Sequence, residues 1–115
     1  MLKTESRIQQ EICMWFRNNY CLNNHDPQNI IFSVPNEGSN IVEQIKKKGT
    51  GMMAGVSDLI MVIEGRVIFC EIKDDKGRQK PDQIAFEQKV TKLGHQYYLI
   101  RSLEEFKEMV EKELN

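Results

Sequence analysis

Residues 55–73, G-V-S-D-L-I-M-V-I-E-G-R-V-I-F-C-E-I-K, constrain the fold of this 115-residue chain more than any other stretch. They read as two strands, Ser57 to Ile63 and Arg66 to Lys73, joined by a two-residue turn at Glu64-Gly65. Successive side chains of a strand point to opposite faces. One face of the hairpin therefore carries Leu59, Met61, Ile63, Ile68, Cys70 and Ile72, and the other carries Ile60, Val62, Val67 and Phe69. A sheet that is apolar on both faces needs helices on both.

The flanking sequence supplies them. A helix is expected from about Lys3 to Tyr20, with Ile8, Ile12, Trp15 and Phe16 on one stripe. Asn23 to Pro27 break it, and Asn29 to Val34 read as a short strand. A short helix is expected over Ser39 to Lys48, followed by a glycine-rich approach to the hairpin, Gly49 to Gly55. Beyond the turn at Asp74 to Gly77, a helix runs from about Pro81 to Leu93, with Gly94 as its stop. Gln96 to Arg101 form a fourth strand, and Ser102 with Glu105 cap a last helix. The expected fold is α/β, one domain over residues 1–115, with a mixed four-stranded sheet flanked by helices on both faces.

Charge intrudes at one end of the hairpin. With Ile63 opposite Arg66, counting outward places Asp58 directly across from Glu71, and Lys73 shares their face. Like charges directly opposite destabilise a hairpin. A divalent cation removes that cost, because hard cations take carboxylate oxygens together with substrate phosphates. Individually, Asp58 reads as a turn residue and Glu71 with Lys73 as an exposed strand end; their shared register and face favour a site. Glu5 lies on the stripe of Ile8, Ile12 and Phe16, either as a third inward carboxylate or as a first-turn acid favoured by the helix dipole. Gln83 lies on the stripe of Phe86 and Val90, facing inward or serving as an N-terminal polar residue.

Sixteen basic and seventeen acidic residues leave a formal net charge of −1, which argues against a protein that coats nucleic acid by bulk charge. The cations do cluster, as Lys46-Lys47-Lys48 and as Lys76, Arg78 and Lys80, each either a solvated face or a phosphate-contacting patch. No apolar run is long enough to span a bilayer, and no signal peptide opens the chain. Cys13, Cys21 and Cys70 have neither zinc spacing nor an even count. A reduced, cytoplasmic setting is expected.

The segments T-E-S-R-I-Q-Q, V-P-N-E-G, G-M-M-A-G-V-S-D-L-I, E-I-K-D-D-K-G, D-Q-I-A-F and H-Q-Y-Y-L-I resemble, in order, the VRR-NUC branch of the PD-(D/E)XK nuclease superfamily. Ser57 departs from the proline that often precedes the aspartate. The resemblance implies a restriction-endonuclease-like αβββαβ core and Mg²⁺- or Mn²⁺-assisted hydrolysis of DNA phosphodiesters. It implies Asp58, Glu71 and the Ile72 carbonyl as metal ligands, Lys73 as the residue that orients or activates water, and Glu5 and Gln83 in support of the metal site. It also implies a homodimer acting on branched DNA such as four-way junctions or flaps. Met52, Met53, Tyr97 and Tyr98 are apolar residues for a dimer interface or for the core. A non-cleaving nuclease-fold module that binds DNA or protein is the alternative. A sequence-specific restriction enzyme ranks lower, since the chain shows no obvious base-reading element.

Overall fold

The computed structural model describes residues 2–35, 45–46 and 48–115. Helix α1 spans Glu5–Tyr20, strand β1 Ile30–Ser33, β2 Leu59–Ile63, β3 Arg66–Ile72, helix α2 Pro81–Lys92, β4 Gln96–Ile100 and α3 Leu103–Leu114. Of the short helix expected at Ser39 to Lys48, residues 45, 46 and 48 are helical and exposed; 36–44 and 47, including Lys47, lie outside the described residues. The sheet order is β1-β2-β3-β4, antiparallel from β1 to β3, with β4 parallel to β3. This is the expected mixed sheet, with α2 as the crossover between the parallel strands.

Local chemistry sets the element ends. Thr4 Oγ1 accepts from the Arg7 N–H at 3.1 Å, so α1 begins at Glu5, two residues later than its pattern suggested. Gly65 takes the positive φ (79°) that lets a two-residue turn close, and Gly94 (φ 93°) stops α2. Ser102 Oγ accepts from Glu105 N–H at 3.2 Å. The Glu105 carboxylate reaches back to the Arg101 N–H at 3.3 Å, one residue beyond the capping-box partner.

Helices α1 and α3 cover the first face. Ile8, Ile12 and Phe16 of α1 and Phe106, Met109 and Val110 of α3 are buried against Leu59, Met61, Ile68, Cys70 and Ile72. Phe106 sits edge-on to both Phe16 (5.9 Å) and Trp15 (6.0 Å). Each large side chain so removed from water contributes about 1.5–3 kcal/mol.

The second face is covered over part of its width. Phe86 and Val90 of α2 are buried over β3 and β4, with Phe86 edge-on to Phe69 at 5.4 Å. Ile30, Phe32 and Val62 share that face over β1 and β2 and remain 53%, 41% and 36% exposed. A helix about 10 Å wide spans roughly two strands at 4.7–4.9 Å spacing. Among the described residues, one helix therefore leaves the outer half of this face open. No helix among them is long and apolar enough to cross a membrane.

Candidate active site

The β2–β3 ladder runs from Ile63 opposite Arg66 to Leu59 opposite Cys70. Its next step outward brings Asp58 opposite Glu71, the register expected from the two-residue turn. Asp58 lies one residue before β2 and is held by two other bonds. Its carbonyl accepts from Val34 N–H at 3.1 Å, and its Oδ2 accepts from Ile72 N–H at 2.8 Å.

Glu71 is 1% exposed. Its Oε2 accepts from the Gln83 amide at 3.2 Å and faces Lys73 Nζ at 3.7 Å. Its Oε1 is buried without a hydrogen-bond partner. Burial first, and then the neighbouring Asp58 carboxylate, push the Glu71 pKa up to about 8, against the pull of Lys73. Removing such a carboxylate from water with one oxygen unsatisfied is costly.

Lys73 is itself buried, at 7% exposure, with its backbone N–H tied to the Ile100 carbonyl at 3.0 Å. Its ammonium stands between Glu71 and Glu5, whose Oε1 is 3.9 Å away. Glu5 thus turns toward the sheet from the first turn of α1, and it meets the site through Lys73. Gln83 also faces inward. Its Oε1 accepts from the Lys80 N–H at 2.8 Å, so one amide both caps α2 and supports Glu71.

Two residues that sequence reasoning missed hold this arrangement. Gly55 (φ 82°) is buried against the start of α2, where an added Cβ would overlap the Asp82 carbonyl and lie 2.9 Å from Gln83 N. Only glycine fits that approach, which fixes where Gln83 starts. Its signal was the glycine-rich run before the hairpin. The Arg101 guanidinium donates to the carbonyls of Asp74 (2.6 Å) and Gly77 (2.8 Å), clamping the loop that follows β3. Asp74 Oδ1 tightens the same loop by accepting from Lys76 N–H and Gly77 N–H, at 3.0 and 2.6 Å. A Cβ on Gly77 would lie 3.2 Å from both Glu5 Oε1 and Lys73 Cδ, so this loop forms one wall of the site.

The remaining expected residues stand around this wall or apart from it. Lys76, Arg78 and Lys80 are exposed on the clamped loop, and Lys46 and Lys48 are exposed on the short helix. Tyr97 and Tyr98 are committed within the fold: the Tyr97 hydroxyl accepts from Gln79 at 3.1 Å, and Tyr98 donates to Glu113. Met53 stays half exposed.

The donor set suits a hard divalent cation. Asp58 and Glu71 converge, and the orphaned Glu71 oxygen is the kind of atom a cation would satisfy. Among the described residues no three His, Cys, Asp or Glu side chains form a metal cluster. The carboxylates of Asp58 and Glu71 are therefore the acids that meet here, and Glu5 stands behind Lys73.

No family model and no curated protein matches the sequence. Solved structures do match the fold. A "VRR_NUC domain protein" superposes with a TM-score of 0.75 at 22% identity, over 96% of this chain and 87% of its own. A second structure, "VRR_NUC domain", superposes with a TM-score of 0.64 at 18% identity, over 96% and 99%. The chain has the fold of these VRR_NUC domains.

Proposed function

We propose that the chain is a Mg²⁺- or Mn²⁺-dependent DNA endonuclease that hydrolyses phosphodiester bonds, with a preference for branched DNA such as four-way junctions or flaps. The observation that carries this reading is the buried Glu71, held beside Asp58 and Lys73 with one carboxylate oxygen unpartnered. Asp58, Glu71 and the Ile72 carbonyl would hold the cation, supported by Glu5 and Gln83. A bound cation polarises the scissile phosphate, lowers the pKa of an attacking water and offsets developing negative charge. Lys73 orients that water. Gln83 keeps the Glu71 carboxylate turned into the site, and Lys46, Lys48, Lys76, Arg78 and Lys80 contact backbone phosphates without reading sequence.

Paired cuts across a junction need two sites related by symmetry, so the branched-DNA reading goes with a homodimer. Light scattering tests that part: a 13.5 kDa species at working concentration would remove it.

The deciding assay is cleavage of linear, flapped and four-way DNAs with Mg²⁺ or Mn²⁺. Wild type should cut, and Asp58→Asn should lose at least about a hundredfold. A wild type that leaves every substrate intact, or an Asp58→Asn that cuts undiminished, refutes the nuclease reading. DNA binding that ignores chelator, with no Mn²⁺ uptake by calorimetry, would establish the non-cleaving module instead.

A further inference from the structure

The Arg101 clamp ends at Gly77, and the cations Arg78 and Lys80 lie beyond it. Exposure alternates there: Arg78 and Lys80 are exposed, and Gln79 between them is half-buried. The Gln79 amide donates twice, to Glu87 Oε1 of α2 at 2.9 Å and to the Tyr97 hydroxyl of β4 at 3.1 Å. One side chain thus ties this stretch to the crossover helix and to the strand that follows it. Tyr97 pairs with Phe69, so it stands on the Glu71 face of the sheet.

Both ends of the stretch touch the candidate active site. At one end, a Cβ on Gly77 would lie 3.2 Å from Glu5 Oε1 and from Lys73 Cδ. At the other, the Lys80 N–H donates to Gln83 Oε1 at 2.8 Å, and the same Gln83 amide donates to Glu71 Oε2 at 3.2 Å. Among the described residues neither Arg78 nor Lys80 is in an ion pair. Glu87 is taken up by Gln79, and Asp74 by the Lys76 and Gly77 N–H groups. Cations without a carboxylate partner, beside a site for phosphodiesters, suit backbone phosphate.

We infer that Gln79 is a positioning residue that holds Arg78 and Lys80 outward as a pair gripping the DNA backbone next to the cleavage centre; this deepens the nuclease reading and rests on it for the identity of the ligand as DNA. Lys80 has extended backbone (φ −80°, ψ 160°). Extended residues two apart point the same way at a spacing of about 6.6 Å, so both cations meet one strand. Gln79 carries no charge itself. Its part is to order the stretch before DNA arrives, which lowers the entropy lost on association.

The test is fluorescence anisotropy with a fluorescein-labelled four-way junction in EDTA, between about 50 and 200 mM NaCl. Arg78→Ala combined with Lys80→Ala should lower the salt slope by about two. Gln79→Ala should weaken binding about fivefold at an unaltered slope, since no charge is lost. Added to the Arg78→Ala and Lys80→Ala pair, it should weaken binding by less than about 1.5-fold further. Tyr97→Phe, which removes one acceptor and keeps the ring, should show the same coupling at about twofold. Gln88→Ala, at an exposed amide of α2, should stay within about 1.5-fold of wild type. In cleavage with Mg²⁺, Gln79→Ala should raise KM about fivefold and keep kcat within about twofold. Thermal melts check that the variants are folded, and Tyr97→Phe carries the comparison if Gln79→Ala melts early.

Wild type without affinity for the junction overturns the anchor. So does a Gln79→Ala that binds like wild type, or one whose loss is undiminished when both cations are gone. A fall in kcat at constant KM would put Gln79 in the chemistry and overturn it as well. Coupled losses in binding with no cleavage by wild type in Mg²⁺ or Mn²⁺ would keep the anchor and remove the nuclease. Cleavage by wild type with unchanged affinity and KM in Gln79→Ala would do the reverse.

Discussion

Glu71 and Glu113 sit near opposite ends of the same strand in space, and their surroundings differ. Glu71 lies on β3 itself, while Glu113, from the end of α3, packs against Arg66 where β3 begins, about 16 Å away at 3.3 Å per residue. Both carboxylates face a cation. Glu113 has each oxygen satisfied, one by the Tyr98 hydroxyl and the other by Arg66 at 2.9 Å, and the Arg66 guanidinium also bonds the Glu113 carbonyl. Burial first, and then the Glu113 carboxylate, push the Tyr98 hydroxyl pKa up to about 12, against the pull of Arg66. Glu71 has the Asp58 carboxyl opposite it and an Oε1 that no donor among the described residues reaches. A satisfied buried carboxylate ties elements together, whereas an unsatisfied one marks a candidate functional site.

The largest expected contrast is in cleavage. Glu71→Gln should lose at least about a thousandfold in DNA cleavage rate with Mg²⁺, while Glu113→Gln stays within about threefold. Equal losses would erase the distinction. Stability should split the other way. Glu113→Gln leaves Arg66 without its charge partner and should cost about 2 kcal/mol in urea unfolding. In chelator above about pH 8, where Glu71 is ionised, Glu71→Gln removes a buried charge and gives Asp58 an amide donor, so it should gain about 1 kcal/mol. A Glu71→Gln that unfolds as readily as Glu113→Gln would make Glu71 an ordinary structural acid.

The pH dependence sharpens the same contrast. Glu71's folded pKa of about 8 lies above the ordinary 4.5, so the folded state binds this proton more tightly than the unfolded chain does. In chelator, its contribution to stability should fall as pH rises from about 4.5 to about 8 and level off above. Subtracting the Glu71→Gln profile from wild type isolates that slope, and a flat difference would contradict the assignment. The smallest expected effect belongs to Gly77→Ala. Its Cβ would press Glu5 and Lys73 by a few tenths of an ångström, which should slow cleavage by about fivefold with little change in melting.

The asymmetry between these regions also explains what the sequence made legible. The Asp58–Glu71 register followed from a two-residue turn and strict alternation along one hairpin, both local. Gln83 and Glu5 were readable because helical spacing put them on buried stripes. The Arg66–Glu113 pair joins residues 47 apart and has no periodic signature. The Arg101 clamp likewise depends on where the crossover returns the chain. Gly55 was visible only as one glycine in a run, since the helix it abuts lies some thirty positions later. Among the described residues, the exposure of Ile30, Phe32 and Val62 was not legible, because alternation reports which residues share a face, not how wide a covering helix is.

The Arg101 clamp has a kinetic consequence as well. Its two hydrogen bonds hold the carbonyls of Asp74 and Gly77, which bracket Lys76. If Lys76 contacts phosphate as proposed, it would do so from an ordered loop, and association there would lose side-chain freedom without a loop rearrangement.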